Sequence, residues 1–213
     1  KQATSDDARS RVKSSLYGFD TNATVWALAV LNMFFRGDGK SHIVYGDCFQ
    51  RGSTMVHEFD RALLNPPFSQ EGEPEIDFID HALKAVRPGG RMAVVVKASV
   101  MVDDDLRNWR KVLVEHHHVE AVISLPSELF YPTSSATVIL VVKAHAPDNR
   151  RGTFLARIEN DGFAISKKRR IPISGTQLPR ILALFRDYEH LGTIETIPNL
   201  TMVVSRDKVI NGE

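Results

Sequence analysis

Asn65-Pro66-Pro67-Phe68 is the stretch of this chain whose residue types and order could carry chemistry together. A planar amino group on an aromatic ring is a poor nucleophile, because its lone pair is delocalised into the ring. Two acceptors that hold both amino hydrogens pull that nitrogen towards tetrahedral geometry. The side-chain carbonyl of Asn65 and the backbone carbonyl of Pro66 supply such a pair. The consecutive prolines, each with φ held at about −65°, keep the carbonyls aimed. Phe68 offers a face on which a base can stack, and a base that reaches such a pocket must first leave its duplex. The same four residues also read as an Asn-Pro turn followed by a surface aromatic, and the motif alone does not separate the two.

The surrounding elements bear on that choice. The apolar run Ala62-Leu63-Leu64 ends a strand over Phe59–Leu64, and residues that precede a proline are driven to extended angles. The motif is therefore a stiff knuckle at the carboxyl end of a strand, where open α/β sheets bind ligands. Upstream, Leu16–Asp20 reads as a short strand ending in a carboxylate. Asn22 caps a helix that runs to Phe35, closed by Gly37 and apolar almost all round, which predicts heavy burial. His42–Asp47 is a second strand ending in a carboxylate, followed by Cys48. Downstream, Pro74 starts a helix with Ile76, Ile79, Leu83 and Val86 on one face, stopped by Pro88-Gly89-Gly90. Arg91–Ala98 is an apolar run of the kind a central parallel strand shows. An amphipathic helix over Asp103–Glu115, a strand over Val119–Leu125, a loop over Pro126–Ser135 and a strand over Thr137–Val142 follow. This alternation predicts βαβ units, a mostly parallel sheet and a doubly wound, Rossmann-like α/β fold.

Beyond Ala144 the texture changes. Pro147–Gly152 reads as a linker or turn, and Thr153–Ile158 as an edge strand or a hairpin with Phe163–Ile165. A basic run, Lys167–Arg170, and a helix over Leu178–Tyr188 come next, and residues 193–213 are weakly patterned. The predicted division is a core over residues 1–145 and a C-terminal extension, with hairpin and helix, over 146–213.

The 213 residues are 43% hydrophobic and 25% charged, the proportions of an ordinary globular protein. The formal net charge is +1, so any contact with nucleic acid has to come from local patches or partners. The single cysteine, Cys48, excludes an internal disulfide and fits a reducing compartment. No apolar run approaches the ~20 residues of a membrane helix. Together with the polar N-terminal stretch these features predict a cytoplasmic chain without a membrane partner. His116-His117-His118 and Asp103-Asp104-Asp105 resemble metal runs. Three successive histidines cannot all face one ion, and both groups are better explained by helix-end electrostatics.

The motif and its flanks resemble a known family. Asn-Pro-Pro-aromatic is the signature of amino-group DNA methyltransferases that use S-adenosylmethionine, and the flanks are most similar to the modification subunit of type I restriction systems. Asp20 matches the strand-end carboxylate that holds the cofactor ribose hydroxyls, and Asp47, beside Cys48, matches the residue that meets the cofactor adenine. Asn65, Pro66, Pro67 and Phe68 match the catalytic motif. Gly89-Gly90-Arg91 before an apolar strand matches a further block. Leu125-Pro126 with Leu129-Phe130 matches another, which makes Phe130 the second face of the base sandwich. The family's Gly-rich turn after its first strand has no counterpart here. The expectation is that the chain starts after it, with a cofactor pocket incomplete on its own.

The resemblance implies methyl transfer from S-adenosylmethionine to the 6-amino group of adenine in DNA. It also implies a specificity subunit and a nuclease subunit as partners. Two alternatives stay open on the sequence: a truncated, non-catalytic domain that keeps the fold without binding cofactor, and a methyltransferase acting on protein glutamine or RNA.

Overall fold

The computed structural model describes residues 6–38, 42–68, 72, 74–130, 135–167 and 169–213. The chain forms two compact units, residues 1–55 and 56–213.

The first unit contains α1 (Asp6–Ser14), β1 (Tyr17–Asp20), α2 (Ala23–Phe35), β2 (His42–Tyr45) and the short α3 (Cys48–Arg51). β1 and β2 pair in parallel, with Asp20 opposite Tyr45. Asn22 caps α2 as its sequence position predicts, its Oδ1 accepting from the N–H groups of Thr24 and Val25 at 3.0 and 3.1 Å. The Trp26 indole N–H donates to the Ile43 carbonyl at 2.9 Å and lays the helix on β2. The heavy burial predicted for α2 is not observed: Leu28, Phe34 and Phe35 are 60, 64 and 79% exposed. A two-stranded sheet has area for one helical stripe, which Trp26, Ala29 and Met33 fill as half-buried residues.

The second unit is built on a six-stranded sheet. In chain order it contains β3 (Phe59–Leu64), α4 (Glu75–Ala85), β4 (Val86–Lys97), α5 (Ser99–Val102), α6 (Arg107–His116), β5 (His118–Ser124), β6 (Thr137–Lys143) and β7 (Thr153–Arg157). Then come β8 (Phe163–Ser166), β9 (Arg169–Pro172), α7 (Leu178–Leu191), β10 (Thr201–Val204) and α8 (Arg206–Asn211). The sheet order is β10-β7-β5-β6-β4-β3. β3, β4, β5 and β7 run one way, and β6 and β10 run against them. On one face, Ile79 and Leu83 of α4 and Leu113 and Val114 of α6 pack on Met92, Val94, Val96 and Leu140. On the other, Ile181 and Tyr188 of α7 pack on Ala121, Phe154 and Ala156. This is a mixed α/β fold with a mostly parallel central sheet and helices on both faces.

Several boundaries differ from the sequence-based prediction for physical reasons. β4 begins at Val86, opposite Phe59, five residues before the predicted Arg91. Pro88-Gly89-Gly90 does not precede the strand but forms an irregular passage within it. A Cβ at Gly90 would lie 2.9 Å from the Asp60 carbonyl oxygen, so a side chain there would push β3 away. Thr153–Arg157 is no edge strand, because β5 pairs with it on one side and β10 on the other. Phe163–Ser166 pairs with Arg169–Pro172 rather than with β7. Of the basic run, Lys168 lies outside the described residues, as do Tyr131 to Ser134 of the predicted loop.

The weakly patterned C-terminal stretch supplies β10 and α8. A Cβ on Gly152 would fall 2.5 Å from the Val204 carbonyl oxygen, so β10 closes on β7 where a side chain is missing. α8 is held by the buried Arg110, whose Nε donates to the Ile210 carbonyl at 3.1 Å. Leu200 and Val203 join the α7-side cluster, while Val204 and Val209 join the other. Among the described residues no helix is long and apolar enough to cross a membrane.

Candidate active site

Within the second unit, the carboxyl ends of β3, β4, β5 and β7 form one rim, joined by the start of β6. The Asn65–Phe68 knuckle follows β3 directly, and its root is fixed by the β3–β4 register, with Leu64 opposite Val94. Pro66 is buried, Phe68 is half-buried, and Asn65 and Pro67 are exposed. Among the described residues the Asn65 side chain has no hydrogen-bond partner, so its amide oxygen is open to an incoming donor. α4 starts at the same rim and carries the chain back to the amino end of the sheet. Buried Glu75, in its first turn, accepts from the backbone N–H of Lys97 at 3.1 Å, at the end of β4. That hydrogen bond clamps the far side of the knuckle loop to the strand beside it.

Phe130 reaches the knuckle from the loop after β5. The Leu125 N–H donates to the Thr137 carbonyl at 2.9 Å, and the Leu129 N–H donates to the Pro126 carbonyl at 3.0 Å. The turn so formed brings the Phe130 ring to 5.5 Å from that of Phe68, edge to face at 89°. The two aromatic rings named from sequence, 62 positions apart, are in contact. Their geometry is not a sandwich, since a base between parallel rings needs them ~7 Å apart, two contact distances of ~3.5 Å. In this arrangement the rings fill each other's space, and a base would have to part them.

Glu75 and Thr137 were not legible as site residues. Glu75 reads as an ordinary acid of a helix first turn, and nothing in the sequence signals that it turns to β4. Thr137 is fully buried at the start of β6, between the ends of β4 and β5, and its hydroxyl has no partner among the described residues.

The first unit places Asp20 and Asp47 at the carboxyl ends of its two parallel strands, where the Gly46 N–H donates to the Asp20 carbonyl at 2.9 Å. One oxygen of each carboxylate is used locally. Asp20 Oδ1 accepts from the Asn22 N–H at 2.7 Å and Asp47 Oδ1 from the Phe49 N–H at 2.8 Å. The second oxygen of each has no hydrogen-bond partner among the described residues. Two adjacent half-buried carboxylates with acceptor capacity to spare suit a ligand that presents hydroxyl and amino donors, and this donor chemistry fits S-adenosylmethionine. Cys48 is the first residue of α3, half-buried beside them.

Residues of similar chemistry crowd the opposite, amino end of the second unit's sheet, but most of their polar atoms are engaged. The His145 N–H donates to His117 Nδ1 at 2.9 Å, and His145 Nε2–H donates to the Leu83 carbonyl at 2.8 Å. The His145 ring contacts both His57 and His117, at 4.6 and 4.8 Å. Burial, then the neighbouring His145 and His116, push His117 down to about 4. His118 is also lowered, chiefly by burial, and its Nε2 lies 3.3 Å from the Tyr188 hydroxyl, which donates to the Gly152 carbonyl at 2.6 Å. Arg91 forks onto buried Glu120 at 2.6 and 3.0 Å and reaches Glu189 of α7 at 2.6 Å. Burial works against its charge, and the two carboxylates outweigh that. Among the described residues no three His, Cys, Asp or Glu side chains are placed to hold a metal ion.

Comparison with known proteins gives the fold and the site a context. A type II restriction enzyme and methyltransferase of Heyndrickxia coagulans, RM.BcgI, is 30% identical over 208 residues, covering 90% of this chain and 32% of its own length. The MjaVII methylase subunit, from a type I restriction enzyme of Methanocaldococcus jannaschii, is 22% identical over 92% of this chain and 39% of its own. The chain thus spans about a third of the length of the curated relatives it matches. Among solved structures, the methyltransferase subunit of a type I restriction-modification system from Streptococcus thermophilus superposes with a TM-score of 0.72 at 21% identity. It covers 91% of this chain and 45% of that one. A structure from a study of type I complex assembly superposes at 0.79 and 16% identity, over 99% of this chain and 48% of that one. The sequence model described as N-6 DNA Methylase matches residues 1–77 and 70–213, together the whole length, and the chain belongs to that family.

Proposed function

We propose that this chain is the catalytic part of a DNA methyltransferase that transfers a methyl group from S-adenosylmethionine to the 6-amino group of adenine. The observation that carries the reading is the rim of the second unit, where an exposed Asn65, without a hydrogen-bond partner among the described residues, stands on a rigid proline knuckle beside the Phe68–Phe130 pair. The Asn65 side-chain carbonyl and the Pro66 carbonyl each accept one hydrogen of the target amine, freeing its lone pair for attack. Phe68 stacks on the extruded base and fixes the plane of the amine, and Phe130 moves aside to cover the other face. Asp20 and Asp47 would hold the cofactor, accepting from its ribose hydroxyls and adenine amine, with Cys48 beside them. The cofactor, when bound, supplies an electrophilic methyl group on a sulfonium. Alignment for in-line transfer carries much of the rate.

The relatives described as methylase subunits of type I restriction enzymes support a place in a restriction-modification system; specificity and restriction subunits are the proposed partners, and the cytoplasm the proposed compartment. The decisive experiment is Asn65→Ala in the full-length protein with its partners, with N6-methyladenine quantified by mass spectrometry of digested DNA. Turnover should fall ~10²–10³-fold, the loss typical of one positioned polar group, with cofactor binding and melting temperature nearly unchanged. Wild-type turnover in the variant would reduce Asn65 to a turn residue. A wild-type protein that methylates glutamine or RNA in place of DNA would overturn the substrate.

A further inference from the structure

We infer that the β8–β9 hairpin is a phosphate-binding arm that grips the DNA backbone several nucleotides from the target base. The proposal rests on the reading of the site as a DNA methyltransferase.

Its first support is placement. β7 lies beside β5 in parallel, with Arg157 opposite Ser124, so both strands end at the rim that carries the knuckle. The Ile158 N–H donates to the Ser124 carbonyl at 2.9 Å, and the chain then leaves the sheet. It returns at Gln177, whose N–H donates to the Asn160 carbonyl at 2.8 Å and whose Oε1 accepts from the Glu159 and Asn160 N–H groups at 2.7 and 2.9 Å. The excursion is closed at its base, so the hairpin is rooted at the active-site rim.

The second support is charge. The chain as a whole is nearly neutral, with 27 basic and 26 acidic residues. Residues 162–186 contain Lys167, Lys168, Arg169, Arg170, Arg180 and Arg186 and no Asp or Glu. Arg170 is engaged at the base of the hairpin, paired with Asp161 and lying over the Phe163 ring at 4.9 Å. Lys167, at the turn, and Arg169, at the start of β9, are exposed and have no carboxylate partner among the described residues. Arg170 thus stiffens the arm while Lys167 and Arg169 stay open to an anion.

The third support is spacing. In the sheet order, β7 is four strands from β3, a span of ~19 Å at ~4.8 Å per strand. Along one DNA strand, at ~3.4 Å per phosphate, this corresponds to about five or six nucleotides. An arm at this distance from the knuckle meets phosphates flanking the extruded adenine and would fix the register of the duplex without reading its sequence.

The test uses the full-length protein with its partners and a duplex oligonucleotide that contains the methylation site. Lys167→Gln with Arg169→Gln is compared with wild type and with the charge-conserving pair Lys167→Arg with Arg169→Lys. Removing two phosphate contacts should lower the slope of log affinity against log salt by ~1.8, so that raising salt from ~50 to ~200 mM costs wild type about tenfold more affinity than the Gln pair. KM for DNA should rise, while kcat at saturating DNA, cofactor binding and the melting temperature stay unchanged. The charge-conserving pair should keep the wild-type slope. An unchanged slope in the Gln pair overturns the proposal. So does a loss of partner-subunit association with DNA affinity intact, which would make the hairpin a protein-docking element. Because binding is read by anisotropy, a wild type that binds DNA without methylating it would sink the proposed reaction while leaving the salt slope to decide the arm.

Discussion

The two ends of the second unit's sheet carry similar chemical groups in opposite states. At the amino end, His117, His118, His145, Arg91 and Glu120 are held by named partners and locked in place. At the carboxyl end, the Asn65 amide and the Thr137 hydroxyl have no partner among the described residues, and two aromatic rings meet edge to face where a flat ligand could part them. Residue type alone does not distinguish a site from a scaffold. Unspent hydrogen-bonding capacity beside a stacking surface marks the candidate site. Arg110, Thr201 and Arg206 also carry a buried polar atom without a partner among the described residues, but they stand beside no such pair of rings.

The largest effect should come from breaking the locked end. Arg91→Ala leaves Glu120, whose side chain is 7% exposed, buried without its cation. Removal of one partner from a buried pair costs ~3–5 kcal/mol, and the low end applies because Arg91 is itself one-third exposed. A melting temperature lowered by several degrees, with kcat per folded molecule unchanged, is the expected outcome. A selective loss of turnover would place Arg91 in the chemistry and dissolve the contrast between the ends.

A smaller effect should follow from acid. His117 has a folded-state value of about 4, below its ordinary 6.5. Its depressed value means that the unfolded chain takes up the proton first. Its stabilising contribution is therefore complete above pH ~6.5, shrinks as pH falls towards ~4, and is gone below that, a loss of order 2–3 kcal/mol. Asn in place of His117 keeps an acceptor for the His145 N–H without titrating. Denaturant melts at pH 7.5 and 4.5 should show less acid destabilisation in His117→Asn than in wild type. Equal sensitivity would assign the acid lability to other groups.

The smallest stability effect belongs to the open end. Phe68→Ala gives up one edge-to-face pair, worth ~0.5–1.5 kcal/mol, whereas a stacked base contributes ~1–3 kcal/mol. Methylation should fall about ten- to a hundredfold while the melt shifts little, and Phe68→Tyr should retain most activity. Parallel losses of stability and turnover would make Phe68 a core residue.

The sequence made the knuckle legible because prolines, an amide and an aromatic have few ways to sit after an apolar strand. The Asn22 cap and the β1–α2–β2 order were legible for similar local reasons. What it hid depends on distant partners. Thr153–Arg157 looks like an edge because its neighbours, β5 and β10, lie more than 25 residues away on either side. The four-residue β10 carries too little pattern to be seen before β7 is there to pair with it. The apolar α2 reads as core because hydrophobicity reports a preference for burial, while the first unit supplies cover for one stripe only. The sandwich implied for Phe68 and Phe130 followed from resemblance, and the structure brings the rings together in a different orientation.

The C-terminal stretch has a consequence for how the second unit comes apart. Leu200 and Val203 belong to one hydrophobic cluster, Val204 and Val209 to the other, and Gly152 lets the strand between them close on the sheet. A short covalent run is thus shared by both layers of the sandwich. Neither face can loosen without pulling on residues that seal the other, which couples the two clusters into one cooperative melting unit.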